Sequence, residues 1–174
     1  MAVVHDADGI TDEEMERFAR WTNLSETTFL LTRTEAGADY RLRIWTPGGE
    51  LPFAGHPTLG SCHAWLEAGG VPATNDAVVQ ECGAGLVTIR RGRGAQDRPA
   101  FAAPPLMRSG PVDEADLTRI ATVLRLDRAD LLDSAWIDYG PGWVGVLLRD
   151  ADAVLAVEPD WAAFGDLKVG VVGE

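Results

Sequence analysis

The 174-residue sequence predicts an α+β fold in which a curved antiparallel sheet wraps around one buried helix. Three observations carry that expectation. Short strand-like segments separated by glycine-bearing turns recur along most of the chain. One helical segment, residues 57–68, places Leu59, Cys62, Ala64, Trp65 and Leu66 around most of its circumference, the mark of a helix buried on nearly all sides. Strands and helices do not alternate regularly, as a doubly wound parallel sheet would require.

The elements follow in order. Residues 11–22 read as a helix. Thr11 and Glu14 match a capping box, Asp12, Glu13 and Glu14 suit the positive end of the helix dipole, and Met15, Phe18, Ala19 and Thr22 recur at helical spacing. Asn23-Leu24-Ser25-Glu26 is a polar break. Residues 27–32 are β-branched and aromatic, hence a strand. After a turn at Glu35-Ala36-Gly37, Tyr40, Leu42 and Ile44 alternate with Arg41, Arg43 and Trp45, so the two strands form an antiparallel hairpin. Pro47-Gly48-Gly49 begins a loop. The buried helix starts at Pro57, whose missing N–H suits a first helical position, and stops at Gly69-Gly70. Residues 77–81, 86–91 and 99–103 are strands. Residues 113–124 form a helix with Leu117, Ile120, Ala121 and Leu124 on one face, and residues 126–133 a short helical or turn segment. Residues 136–138 and 143–148 are strands flanking Gly140-Pro141-Gly142, residues 151–166 are helix or loop, and residues 169–172 are a last strand.

Composition narrows the function. With 46% hydrophobic and 24% charged residues the chain has the make-up of a soluble globular protein, and a chain of this length buries roughly 70% of its unfolded surface. No apolar run approaches the ~20 residues of a membrane span, and the N-terminus lacks the pattern of a secretory signal, so a cytoplasmic location is expected. A formal charge of −12 argues against nucleic acid and anionic membranes as partners. The basic stretch Arg90, Arg91, Arg93 and Arg98 reads as a solvated hairpin loop. Cys62 and Cys82 form no disulfide framework and read as small core side chains. His5, close to the terminus, reads as solvated.

Two segments carry a family signal. Residues 23–29 read Asn-Leu-Ser-Glu-Thr-Thr-Phe, and residues 50–60 read Glu-Leu-Pro-Phe-Ala-Gly-His-Pro-Thr-Leu-Gly. In this order and spacing they resemble the N-terminal signature of the phenazine-biosynthesis PhzF-like isomerases. The resemblance implies a diaminopimelate epimerase-like fold, an antiparallel β-barrel wrapped around a central helix, with the active site in a cleft between two such domains. It implies a reaction that needs neither metal nor organic cofactor: a proton moved between ring carbons of a dihydro-hydroxyanthranilate. By match to the motifs, the proton-transfer Glu is Glu26 and the active-site His is His56. Against the family pattern, residues 1–174 read as a single N-terminal domain, with the start of a second after about residue 150. The first strand, with its Gly-Asn-Pro segment, and most of the second domain, with its Asp-Pro-x-Thr-Gly-Ser motif, are expected to be absent. Where diaminopimelate epimerases carry a catalytic Cys this chain has Ala54, so a two-cysteine racemase is not expected.

The residue types suit that chemistry. One carboxylate can take a proton from carbon and return it elsewhere if its surroundings exclude water. Glu26 sits at a helix-to-strand break, where a side chain can face a cleft, although most acidic residues of such a chain are simply solvated. Gly55, His56 and Thr58 lie around the start of the second helix, whose unpaired N–H groups form a place for a substrate carboxylate or enolate. His56 is placed to hydrogen-bond the substrate or assist protonation, a role suited to histidine as a residue type. Ser25, with Asn23, either orients Glu26 or caps local backbone, capping being preferred. A metal site from His56, Cys62 and His63 matches no ligand spacing, so none is expected. A serine hydrolase is disfavoured, because no G-x-S-x-G segment exists. Asp138 and Tyr139 are further candidates to line the cleft. The competing expectation is a noncatalytic half that binds small carboxylates or a partner chain. Either way a missing edge strand predicts association, as a homodimer or with a partner half.

Overall fold

The computed structural model describes residues 1–92 and 98–174. The chain divides into two compact units, Met1–Pro104 and Pro105–Glu174.

The first unit holds strands β1 (Ala2–Val4), β2 (Thr27–Leu31), β3 (Tyr40–Thr46), β4 (Gly49–Leu51), β5 (Ala77–Cys82), β6 (Gly85–Arg90) and β7 (Ala100–Phe101), with helices α1 (Asp12–Thr22) and α2 (Gly55–Glu67). The sheet order is β1-β2-β3-β5-β6-β7, with β4 paired to β3. α1 starts where its capping box predicts: the Thr11 hydroxyl accepts from Glu14 N–H at 3.3 Å and the Glu14 carboxylate accepts from Thr11 N–H at 2.9 Å. It ends at Asn23, whose φ of 50° places it in the left-handed region.

The two faces of β2 and β3 are covered by different helices. Side chains alternate along a strand. Phe29 and Trp45 therefore join Met15 and Ala19 of α1 in one cluster, while Thr28 and Tyr40 face α2 through the Ser61 hydroxyl and the Trp65 ring. Phe29 and Ile44 are 1% and 0% exposed, and burial of each such side chain contributes about 1.5–3 kcal/mol.

The second unit contains β8 (Arg108–Gly110), α3 (Glu114–Leu124), one 3-10 turn (Arg128–Asp130), β9 (Asp133–Asp138), β10 (Trp143–Leu148), α4 (Ala151–Leu155), α5 (Trp161–Phe164) and β11 (Lys168–Gly173). Its sheet runs β11-β10-β9-β8. The expected face of α3, Leu117, Ile120, Ala121 and Leu124, is buried in one core with Val144, Val146 and Leu148 of β10. Asp113 caps α3 by accepting from Asp116 N–H at 2.8 Å.

The α+β class holds, with corrections. The sheets are mixed rather than antiparallel: β1 pairs with β2, β3 with β5 and β10 with β11 in parallel. A parallel return needs a crossover connection, and α1, α2 and the α4–α5 segment lie in those three connections. Among the described residues each sheet's order is an open path, and a closed barrel is not observed. α2 begins two residues earlier than predicted, so Pro57 is its third residue. A missing N–H is harmless there too, because the first four have no partner within the helix. One face of α2 (Pro57, Thr58, Ser61 and Cys62) is buried, Leu59, Ala64, Trp65 and Leu66 are half-buried, and His63 is exposed. Gly49, predicted in a loop, starts β4. In the basic stretch, Arg90 ends β6, Arg91 donates to the Asn75 carbonyl, and Arg93 lies outside the described residues.

Candidate active site at the start of β2 and the N-terminus of α2

Glu26 and His56 are thirty residues apart in sequence, and the fold brings them together. The buried hydroxyls of Thr28 and Ser61 meet at 2.8 Å, and both residues are 0% exposed. That contact fixes α2 along β2. From Thr28 back to Glu26 is two strand residues, about 6.6 Å. From Ser61 back to His56 is five helix residues, about 7.5 Å. The two elements run the same way, so matched steps lead from the Thr28–Ser61 contact to the Glu26–His56 pair. Glu26 also shares the parity of Thr28 and therefore faces α2. Its carbonyl is held by Ala2 N–H of β1 at 3.1 Å.

His56 Nε2 lies 3.1 Å from Glu26 Oε2, with the Glu26 side chain 15% exposed and that of His56 61% exposed. The approach is within ion-pair reach, but Oε2, a buried atom, has no donor in hydrogen-bond geometry among the described residues. A buried acceptor without a donor costs about 1–3 kcal/mol, and this one is turned toward a helix N-terminus. Ala54, at the N-cap of α2, supplies no side-chain oxygen, so the first N–H groups have no side-chain cap.

The remaining predicted residues fall into place differently. Gly55 is the first residue of α2, and a Cβ there would stand 3.3 Å from the Phe101 ring. Close packing with Phe101 is thus one reason for a glycine. The Thr58 hydroxyl is turned into the core, where it accepts from Gln80 Nε2 at 3.1 Å. Gln80 Oε1 in turn accepts from the Tyr40 hydroxyl at 3.0 Å. Ser25 is exposed and makes no hydrogen bond among the described residues. Asn23 closes α1 through its backbone, its N–H donating to Ala19 O. Asp138 belongs to the second unit, where its Oδ1 accepts from Gly140 N–H and Gly142 N–H at 2.7 and 2.6 Å and so shapes the Gly-Pro-Gly loop. Burial pushes the Cys62 thiol up to about 11, the behaviour of a core cysteine. Among the described residues no group of three or more His, Cys, Asp or Glu is placed to hold a metal ion, and no helix is long and apolar enough to cross a membrane.

Sequence reasoning did not single out Thr28 and Ser61, the residues that set the spacing. The signal was available: Thr28 shares the parity of Glu26, and Ser61 follows Thr58 by three residues on the same buried face of α2. Concavity alone points elsewhere. A groove of about 560 Å³ is lined by His5, Asp8, Thr32, Arg33, Tyr40 and Trp65, without Glu26 or His56. Its Asp8 carboxylate is already engaged by the Thr32 N–H and hydroxyl. The Glu26–His56 pair, with a buried Glu26 oxygen that lacks a hydrogen bond, is the stronger indication of chemistry.

Comparison with known proteins places this geometry in context. Residues 1–173 match the family model described as phenazine biosynthesis-like protein, PhzC-PhzF. The chain is 37% identical over 171 residues to antisense-enhancing sequence 1 of Schizosaccharomyces pombe, a match covering 96% of this chain and 58% of that protein. It is 34% identical over 178 residues to a trans-2,3-dihydro-3-hydroxyanthranilate isomerase of Pseudomonas fluorescens, covering 95% and 57%. Among solved structures it superposes on the Bacillus anthracis phenazine biosynthesis protein of the PhzF family with a TM-score of 0.72 and 29% identity, over 93% of this chain and 54% of that one. The chain thus spans a little over half the length of these relatives.

Proposed function

Because this chain belongs to the phenazine biosynthesis-like (PhzC-PhzF) family, we propose that it carries the acid–base part of a cofactor-independent isomerase, with Glu26 as the proton-transfer group. The substrate class is a small cyclic carboxylate of the dihydro-hydroxyanthranilate type, named for a relative of this chain. The observation that supports the reading is the Glu26 carboxylate itself: 15% exposed, one oxygen buried without a hydrogen bond, and 3.1 Å from His56 Nε2 at the uncapped start of α2.

In this reading the Glu26 carboxylate takes a proton from a ring carbon. The C–H electron pair passes into the neighbouring π-system as a dienolate, and the Glu26 carboxylic acid, whose proton exchanges with solvent, delivers a proton to a different carbon. Substrate and product are isomers, so no electron acceptor and no group donor enters the balance. The N–H groups of Gly55 and His56 receive the substrate carboxylate, and the positive end of the α2 dipole favours the negative charge that develops. The His56 imidazole holds the Glu26 carboxylate in place, and Ser25 and the Thr58 backbone border the site.

A second reading rests on the 61% exposure of His56. A site open to water on that side suits a chain that binds carboxylates or associates with another chain without turning substrate over. Incubation in D₂O with a dihydro-hydroxyanthranilate, followed by NMR, separates the two. Carbon-bound deuterium that disappears in Glu26→Gln supports the isomerase. Saturable binding of small aromatic carboxylates without incorporation supports the binding half. Incorporation that survives Glu26→Gln would remove Glu26 from the reaction.

A further inference from the structure

A second concavity lies wholly within the 105–174 unit, on the face of its sheet that carries α3. It encloses about 290 Å³, and its lining includes Arg108, Asp116, Arg119, Trp136, Asp138 and Lys168. Three of the six basic residues of this unit line it, in a segment otherwise rich in aspartate.

The charges are not all free. Arg119 is paired with Asp166 at 2.8 Å, and Asp138 is occupied by the N–H groups of Gly140 and Gly142. Arg108 and Lys168 make no ion pair within 4 Å among the described residues, although Asp116, Asp138 and Asp166 also line the pocket and Lys168 acts on Asp166 at longer range. The guanidinium of Arg108 lies 3.3 Å over the Trp136 ring. The register explains how: Arg108 sits opposite Asp138 and Gly110 opposite Trp136, so Arg108 and Trp136 are diagonal neighbours on one face. Stacking occupies the face of the guanidinium and leaves its N–H edge available, the arrangement in which arginine recognises planar or tetrahedral oxyanions. The buried Trp136 Nε1–H also lacks an acceptor among the described residues.

We propose that this pocket binds a small oxyanion, a carboxylate or a phosphate, held by the N–H edge of Arg108 and the ammonium of Lys168, with Trp136 keeping the guanidinium flat. A volume of about 290 Å³ admits an anion of this size. The pocket draws its residues from β8, β9, α3 and β11, none of which contributes to the Glu26–His56 pair, so the site stands independently of the proposed isomerase.

The test is a titration of the ¹⁵N-labelled chain with inorganic phosphate and, separately, with acetate, at constant ionic strength set by sodium chloride. The readout is the Trp136 indole N–H resonance, assigned by its loss in Trp136→Phe. A saturable shift is expected with at least one anion, weakened tenfold or more in Arg108→Gln and in Lys168→Gln and unchanged in Arg125→Gln, which lies outside the pocket. The anion that saturates identifies the chemistry. Both pocket variants change exposed side chains, and an unchanged pattern of the other amide resonances shows that each remains folded. Shifts that stay linear in anion concentration, or that are the same in the two pocket variants as in the parent, overturn the proposal.

Discussion

The carboxylate of Glu81 offers a direct test of how the first unit is held together. It is 6% exposed and accepts three hydrogen bonds: the Thr34 hydroxyl on one oxygen, and the N–H groups of Thr34 and Glu35 at 2.7 and 2.9 Å on the other. Burial pushes its carboxyl up, but the bonds from Thr34 and Glu35, with the charge of Arg41, outweigh burial, and the net pKa lies below its ordinary 4.5. A group with a depressed folded pKa stabilises the fold above its unfolded pKa, and that contribution disappears as pH falls through the folded value. Glu81→Gln keeps the shape. The amide oxygen can accept both backbone N–H groups, and the Thr34 hydroxyl can turn to accept from the amide NH₂. What is lost is charge assistance, about 1 kcal/mol per bond, or roughly 2–3 kcal/mol over the three. Arg41 adds little, at 3.6 Å and 39% exposed. Urea unfolding followed at resonances of the first unit should show that loss at pH 7, shrinking as pH drops below 4.5. The Thr34 and Glu35 amide shifts should titrate with a midpoint below 4.5. A loss under about 0.5 kcal/mol at pH 7, or a midpoint at or above 4.5, would refute the reasoning.

Three further outcomes follow from the geometry. A double-mutant cycle of Thr28→Val and Ser61→Ala should give a coupling of about 1 kcal/mol in unfolding free energy, and additive single changes would mean that the 2.8 Å contact does not fasten α2 to β2. Thr11→Ala removes the α1 capping box and should cost about 1 kcal/mol in a thermal melt; a melt identical to the parent's contradicts the assigned cap. Gly83→Ala would place a Cβ 2.8 Å from the Pro52 backbone, against which Ala84 N–H also bonds, and should destabilise the first unit by about 1–3 kcal/mol. An unchanged stability would show that the β5–β6 turn yields freely.

What could be read from the sequence was local. α1 with its Thr11 cap, the β2–β3 hairpin and the buried face of α3 each depend on residues within a few positions of one another, and each was legible. The parallel pairs were not, because their partners lie far apart in sequence and the pattern of a three-residue strand such as β1 is too short to register. The start of α2 was misjudged because proline is tolerated at any of the first helical positions, and Gly55-His56 carries no capping side chain to mark the boundary. The proposed site residues were found through two motifs. Their mutual placement rests on Thr28 and Ser61, whose contact is a tertiary fact that neither motif states.

The pocket of the second unit shows the same limit in sharper form. Arg108, Trp136 and Lys168 come from β8, β9 and β11, and nothing in their spacing along the chain relates them. Arg108 begins a three-residue strand that sequence pattern did not predict. Only the antiparallel register that sets Gly110 opposite Trp136 brings the guanidinium over the indole. Only the parallel pairing of β10 with β11 brings Lys168 level with Trp143, at the end of the sheet where the Gly-Pro-Gly loop lies. In a chain carrying twelve excess negative charges, a pocket with three basic side chains is invisible in composition and arises where strand pairing gathers residues that the sequence keeps apart. Net charge therefore sets which partners the whole surface repels, while register decides what one small site can hold.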